Sequence, residues 1–481
     1  MASAPEPPTT TQPSDGHLTL RATYSTNTFA HEGTAPRLLR GGVWALVGRG
    51  AAAFLAAALT AVVTRLVNPA DAGVYFLTVS IVTVAAVVSP FGFQDAGVRV
   101  IAEALGRGQS GQAKRALILL LALGGGSAII GGVGLEAGLP SLARGPLHCP
   151  TIVRFSVPIS AWGVVLAIQS LISRAFQGIS NIRESVIFSG LATNLLCVLA
   201  CGLWLFSYHP ATYGVVLDLS IASAVVSTAL GGILVSKVIR SLEGPWTEYL
   251  TGRMARIALP LALTSCFTIV ISQFDIWVVG VYRSSEDLAV YTAARRLALI
   301  GGAPLAALNV VLAPMIAELH SHNRLELERL LRGTAGLASM PVISLFVVSL
   351  LIGRRVLSYA FGQFYARGAG VLNLLLVGQL ADVWTGSCGA VLVMTGYQDL
   401  FFMVSVLAGM LSAILNVALV TRAGIEGVAF ASALCSAAQT FALLVCTRRA
   451  TGLWTHASVQ SSISLVTAFR TSMTKSLAAG H

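Results

Sequence analysis

Twelve stretches of about 20 apolar residues recur along the chain, each long enough to cross the roughly 30 Å hydrocarbon core of a bilayer as a helix. They fall near 43–66, 73–93, 115–138, 152–175, 185–207 and 212–236. After a polar gap they resume near 256–280, 288–315, 334–353, 369–394, 400–421 and 425–446. Charged residues make up 11% of the chain and hydrophobic ones 55%, whereas a soluble domain carries about a quarter charged residues. The sequence therefore predicts an all-α polytopic membrane protein of about 12 transmembrane helices.

The two groups of six runs resemble one another. NPADAGVY at Asn68–Tyr75 returns as SSEDLAVY at Ser284–Tyr291, a shift of 216 residues that aligns Asp71, Val74 and Tyr75 with Asp287, Val290 and Tyr291. Further matches follow in order: Pro90 with Pro304, Ile101-Ala102-Glu103 with Ile316-Ala317-Glu318, Gly178 with Gly396, and Gly214-Val215 with Gly427-Val428. Such internal repeats mark many transporter folds. Because the shift spans an even number of helices, both halves keep one orientation. That implies two six-helix lobes related by a pseudo-two-fold axis along the membrane normal, with a path between them. The expected layout is a disordered cytoplasmic tail (1–37), an N-lobe (38–240), a cytoplasmic connector (241–255), a C-lobe (256–446) and a C-terminal tail (447–481). Pro90 and Pro304, inside spans 2 and 8, are candidate hinges or static kinks, since proline frees a backbone carbonyl and permits bending.

Loop charge sets the orientation. With the termini placed on the cytoplasmic side, 20 of the 31 Lys and Arg residues fall on that side and 7 on the other, which predicts a multi-pass membrane protein with both termini cytoplasmic. The cluster Arg354, Arg355 and Arg367 runs against this bias. The net charge of +11 is then a loop excess; no basic run with interleaved aromatics points to nucleic acid. The seven cysteines form no CxxC pair and read as small core residues. No HExxH, no phosphate-binding GxxxxGK[ST] and no catalytic constellation is found, so no metal, no cofactor and no enzymatic activity are expected.

Four basic and three acidic residues remain inside the spans: Arg49, Arg154, Arg295, Arg296, Asp218, Asp275 and Asp382. A charge at mid-membrane costs about 2.5–3.5 kcal/mol on insertion scales, so these groups must face water or one another. Arg49, Asp275, Arg295 and Arg296 are the main candidates for a cavity. Arg295 and Arg296 lie about 100° apart on a helix, so they cannot face one spot, and one is expected to point to the cavity while the other snorkels or pairs. Asp275 either gates the path or staples helix to helix by pairing with an arginine. The weaker candidates are Arg154, near enough to its span's end to snorkel, Asp218, and the i, i+3 pair Gln379 and Asp382. That pair, with Trp384 nearby, is either a sugar-binding patch or ordinary packing.

Two segments resemble a known family. TRLVNPADAGVY (Thr64–Tyr75) is similar to the Arg-x-Leu-Gly-Pro-x-x-x-Gly-x-Tyr pattern after the first helix of polysaccharide, Wzx-type, flippases, with Asn68 in place of the usual Gly. QFDIWVVGVYRSSEDLAVYTAARRL (Gln273–Leu297) resembles that family's helix 7–8 hairpin. An Asp stands there at the position of Asp275, and Tyr-x-x-Ala-x-Arg-Leu maps onto Tyr291, Ala294, Arg296 and Leu297. In span count, loop sizes and repeat the resemblance covers about 38–446. It implies a two-lobed, alternating-access member of the multidrug/oligosaccharidyl-lipid/polysaccharide (MOP) exporter superfamily. The implied cargo is a polyprenyl-pyrophosphate-linked oligosaccharide, flipped for exopolysaccharide, capsule or O-antigen assembly, with membrane lipids, a coupling ion, and a polysaccharide polymerase and chain-length machinery as further partners. An anionic, hydrated head group needs a cationic, wet path, and Arg49, Arg295 and Arg296 would supply it. The alternatives are a cation-coupled multidrug exporter of the same superfamily, which would favour acids in its cavity, and a membrane polysaccharide polymerase, which would need larger outer loops.

Overall fold

The computed structural model describes residues 34–206, 211–244, 250–458, 460–463 and 467, and within them every regular element is a helix. Most of the expected N-terminal tail, and the end of the expected C-terminal tail, lie outside the described residues. The end of the bundle near Asn68 and Ser284 is called here the hairpin end, and the opposite one the connector end.

The repeated motif proves to be a pair of helix caps. Helix α2 (Pro69–Val88) starts behind Asn68, whose side chain accepts the N–H of Asp71 at 2.8 Å, with Pro69 at the first helical position. Helix α11 (Ser285–His322) starts the same way behind Ser284, which accepts the N–H of Asp287 at 3.2 Å. The two caps share one extended backbone geometry, φ −65° and ψ 158° against φ −67° and ψ 156°. Each uses a side-chain oxygen to satisfy a first-turn N–H and an Asp to complement the helix dipole.

Ahead of α2 runs α1 (Thr34–Leu66). Beyond α2 the chain turns at Pro90, Phe91 (φ 47°) and Gly92 (φ 73°) into α3 (Phe93–Gly106). The stretch 94–115, expected as a loop, thus contains a helix, too short to span. Its buried face is Ala96, Gly97, Val100, Ile101 and Ala104. Together α2 and α3 cover Pro69–Gly106, which the shift of 216 residues places directly on α11. The C-lobe copy is one unbroken helix with Pro304 half-buried inside it. Pro90 therefore sits at a corner rather than in mid-span, and it has no structural twin in Pro304.

The N-lobe continues with α4 (Ser110–Arg144), the short α5 (Pro150–Arg154), α6 (Ser156–Gly178), α7 (Ile182–Val186), α8 (Ala192–Phe206) and α9 (Tyr213–Ser241). Between α7 and α8 the helix loosens at Ile187–Leu191, where Gly190 has φ 128°. The C-lobe contains α10 (Leu250–Tyr282), α11, α12 (Arg324–Phe361), α13 (Ala369–Thr385), α14 (Cys388–Met394) and α15 (Gln398–Thr451). The tenth run, expected as one span over 369–394, is broken at Gly386 (φ 75°) into α13 and α14.

Helix α15 has 54 residues, about 80 Å if straight and far more than a bilayer is thick. It folds back at Gly424 (φ 63°, ψ −142°). Gln439 donates to the Ser405 hydroxyl at 3.2 Å and Ser432 donates to Asn416 at 3.4 Å, which ties the two arms antiparallel. Eleven helices among the described residues are long and apolar enough to cross a membrane, and the bend in the last makes twelve crossings.

The two lobes share one core at the hairpin end. Val63 and Tyr75 of the N-lobe belong to the same buried cluster as Val279, Val290, Leu357, Val371 and Val428 of the C-lobe. At the connector end the core divides. One cluster holds α3, α4, α6 and α9 with the start of α10, and two others hold only C-lobe residues. The bundle is closed at the hairpin end, while at the connector end the start of α10 stays packed on α3 and the rest of the C-lobe has cores of its own.

The expected C-terminal tail is in part structured. Beyond Thr451 the chain turns back over the connector end of the C-lobe. Thr455 donates to the Thr385 carbonyl at 2.7 Å, the Ala457 N–H to that of Trp384 at 2.8 Å, and the Ser462 hydroxyl to that of Gly333 at 3.3 Å. The first two bonds occupy carbonyls left over where α13 breaks, and the third reaches α12.

Candidate functional site

Two adjoining cavities in the C-lobe share lining residues, and the first is built around an ion pair. Arg295 Nε on α11 lies 2.9 Å from Asp275 Oδ2 on α10, their side chains being 18% and 12% exposed. The Tyr291 hydroxyl donates to the same Asp275 oxygen at 2.7 Å, and the N–H of Ile276 donates to the other at 2.9 Å. Arg295 also donates to the Ser272 carbonyl at 2.6 Å. Three donors around one carboxylate make a satisfied network, which is what a charge at this depth requires. The cavity beside it has a volume of about 350 Å³ and is lined by Gln379, Asn416, Ser432 and Gln439 as well as the pair.

The second cavity, about 480 Å³, shares Ser436 and Gln439 with the first and lies toward the connector end. Asp382 is the one acidic residue in its lining. Trp384 points elsewhere, packing on Phe441 and His456 at ring-centroid distances of 5.9 and 5.4 Å. Gln379, Asp382 and Trp384 thus do not form one patch: the first two serve different cavities and the third serves neither.

The N-lobe has a cavity of about 330 Å³ between α1, α2, α6 and the loosened stretch before α8. Tyr75 stacks on Trp162 there with centroids 6.2 Å apart, and its hydroxyl meets that of Ser220 at 2.9 Å. Gln169 donates to the Phe188 carbonyl at 3.1 Å and to Thr193 at 2.7 Å, supplying a partner where the helix is loosened. Arg296, from the other lobe, completes the wall. None of the ion pairs among the described residues includes it. The 100° between Arg295 and Arg296 therefore sends them into separate cavities, one in each lobe, with Arg295 paired to Asp275 and Arg296 lining the other.

At the shift of 216, Asp275 corresponds to Leu59 and Arg295 to Val79, and both apolar residues line the N-lobe cavity. The two halves keep their backbone repeat but not its charge. Arg49 is exposed and bridges the lobes, donating from α1 to the Ala306 carbonyl of α11 at 3.0 Å. Arg154 is exposed at the end of α5, with its guanidinium 5.8 Å from the Phe155 ring centre. Asp218 is exposed in the second turn of α9 and lines no cavity described here. Neither joins the site. Arg367 pairs with Asp287 at 3.3 Å, so at least one of the charges that ran against the loop bias closes the hairpin end.

Tyr291, Gln439, Asn416 and Ser432, and in the N-lobe Tyr75, Trp162 and Gln169, are residues that a search for buried charge misses. The available signal was neutral polarity inside an apolar run, which Gln169, Asn416 and Gln439 all carry.

A bundle of twelve crossings in two lobes, closed at one end and with cavities in each lobe, is a fold shared with solved MOP-superfamily transporters. A family model described as "Polysaccharide biosynthesis protein" matches residues 38–320, and the chain belongs to that family. Solved structures share the fold. One is an inward-facing conformation of a multidrug resistance MATE family transporter of the MOP superfamily, at TM-score 0.69 and 13% identity, over 85% of this chain and 98% of that one. An outward-facing conformation of such a transporter aligns at TM-score 0.61 and 14% identity, over 88% and 97%. A MOP superfamily transporter from Pyrococcus furiosus Vc1, described as having a binding pocket whose reverse polarity suggests a different function, aligns at 0.60 and 15%, over 86% and 95%. No curated protein matches the chain.

Proposed function

We propose that the protein flips a polyprenyl-pyrophosphate-linked oligosaccharide repeat unit across the bacterial plasma membrane by alternating access, for exopolysaccharide, capsule or O-antigen assembly. One observation carries this reading. Arg295 is neutralised by Asp275, whereas Arg296 has no carboxylate partner among the described residues and Arg49 meets a carbonyl at the lobe boundary. The path therefore bears net positive charge, and guanidinium groups recognise phosphate oxygens in pairs. Family membership points to polysaccharide biosynthesis, and the archaeal relative's described pocket is a reason to let polarity, rather than fold, choose the cargo.

With the termini on the cytoplasmic side, the connector end with its divided core faces the cytoplasm, where the loaded lipid is made. The prenyl tail stays in the bilayer while the head group enters between the lobes. Asp275 acts as the gate, its bond to Arg295 exchanging between states, and Asp382 is the residue we assign to a coupling cation. Arg49→Ala and Arg296→Ala should each abolish polymer export in cells where the variants reach wild-type levels. Depletion of the protein should accumulate precursor on the cytoplasmic leaflet and leave drug sensitivity unchanged. Normal export from both variants, or altered drug sensitivity with normal precursor distribution, contradicts the proposal.

A further inference from the structure

Two side chains in the wall of the N-lobe cavity carry polar atoms that have no partner among the described residues. Trp162 Nε1 and Gln169 Oε1 are buried without a hydrogen-bond partner, in side chains 5% and 3% exposed that both line this space. Leaving a buried polar group unpaired costs about 1–3 kcal/mol, so two in one cavity call for something to bond them. Trp offers only a donor, and the Gln oxygen only an acceptor. A ligand hydroxyl serves either.

The rest of the wall narrows the ligand further. No acidic residue lines the cavity, and Arg296 brings one positive charge. The Tyr75–Trp162 stack adds flat apolar surface of the kind that the C–H face of a sugar ring covers. Its volume of about 330 Å³ falls at the small end of ligand sites, which suits one ring rather than a chain of them. Where the C-lobe places Asp275 and Arg295, this lobe places Leu59 and Val79, so an anion meets no carboxylate here.

We infer that the N-lobe cavity is a subsite for a single sugar residue bearing a negative charge, with Arg296 holding the anion while Trp162 and Gln169 bond ring hydroxyls. The inference rests on the flippase reading for its biological cargo, but the site is defined by its own residues. The anion has two sources, a carboxylate on the sugar or the phosphate that links the first sugar to its lipid.

Binding of methyl glucuronide, glucose 1-phosphate and neutral methyl glucoside to the full-length protein in lipid nanodiscs, followed by ligand-observed NMR, tests it. The two anionic probes should bind at least tenfold more tightly than the neutral one, and the tighter of the two identifies the source of the charge. Arg296→Gln should remove that preference. Trp162→Phe, which keeps the stack and loses the N–H, should weaken the anionic probes about tenfold, and Asp218→Asn should leave binding unchanged. Unfolding temperatures close to wild type guard against misfolded variants. Equal binding of all three probes, or indifference to both Trp162→Phe and Arg296→Gln, overturns the subsite. A protein that flips lipid-linked oligosaccharide but fails this test loses only the subsite. One that binds through Trp162 and Arg296 but flips nothing loses only the flippase reading.

Discussion

At Gly73 the closure of the hairpin end comes down to a missing side chain. A Cβ there would stand 1.8 Å from the Ser285 carbonyl oxygen, so the first turn of α2 lies against the backbone of its own repeat copy in α11. Gly73→Val should force these ends apart. Spin labels on the two lobes at the hairpin end should report a longer distance than in wild type, and an unchanged distance would show that the contact is not what closes this end. Asp275 sets a second residue-level test. Asp275→Asn leaves the Arg295 guanidinium without its counter-charge, which costs about 3–5 kcal/mol for a buried pair and should lower the unfolding temperature. Asp275→Asn combined with Arg295→Met should recover much of that loss. Equal damage in the single and double variants would mean the pair is not an energetic unit. The charges of this pair were legible in the sequence because charge inside an apolar run is conspicuous. The roles of Tyr291 and Gln169 were not, since sequence gives depth along a helix but not which neighbour its side chain meets. The same blindness to direction kept Asp218 and Arg154 among the candidates.

Among the elements, twelve apolar runs translated into twelve crossings because length and hydropathy are local properties. The breaks did not. Helix α3 was hidden by Arg99 and Arg107, which read as loop charge but sit at exposed positions of a helix and its cap. The break between α13 and α14 depends on Gly386, one glycine among 47. Gly424 occupies a region of backbone space essentially reserved for glycine. Gly424→Ala should therefore cost about 1–3 kcal/mol, seen as a lower unfolding temperature. The C-terminal strap was unforeseen because its bonds are made to distant carbonyls. Within it, Arg332 Nη2 lies 3.3 Å from His456 Nε2. Burial, and then the Arg332 charge, hold the His456 imidazole below its usual value. A base with a depressed folded pKa contributes stability that is complete above about 6.5, its unfolded value, and is lost as pH falls through the folded value. Amide protection in 452–458, measured relative to the intrinsic exchange rate at each pH, should thus be lower at pH 5 than at pH 7.5, and His456→Asn should flatten the difference. A pH-independent strap in the wild type would contradict the assignment.

For the whole molecule, duplication explains the frame and divergence explains the chemistry. Matching caps at Asn68 and Ser284 start matching helices, and the ends they begin share one hydrophobic core. The lobes then part company: an ion pair in one stands where Leu59 and Val79 stand in the other, and Arg296 crosses into the cavity that has no charge of its own. Two lobes with a common core at one end and, α10 apart, separate cores at the other need only exchange which end is shared to move a head group across the membrane. The most direct measurement is translocation itself, with purified protein in liposomes and a fluorescent prenyl-pyrophosphate-linked oligosaccharide whose outer-leaflet fraction is read by a membrane-impermeant quencher. The account predicts rapid exchange between leaflets with the wild-type protein and a rate at least tenfold lower with Arg296→Ala. Exchange no faster than in protein-free liposomes, or a variant as fast as wild type, would contradict it.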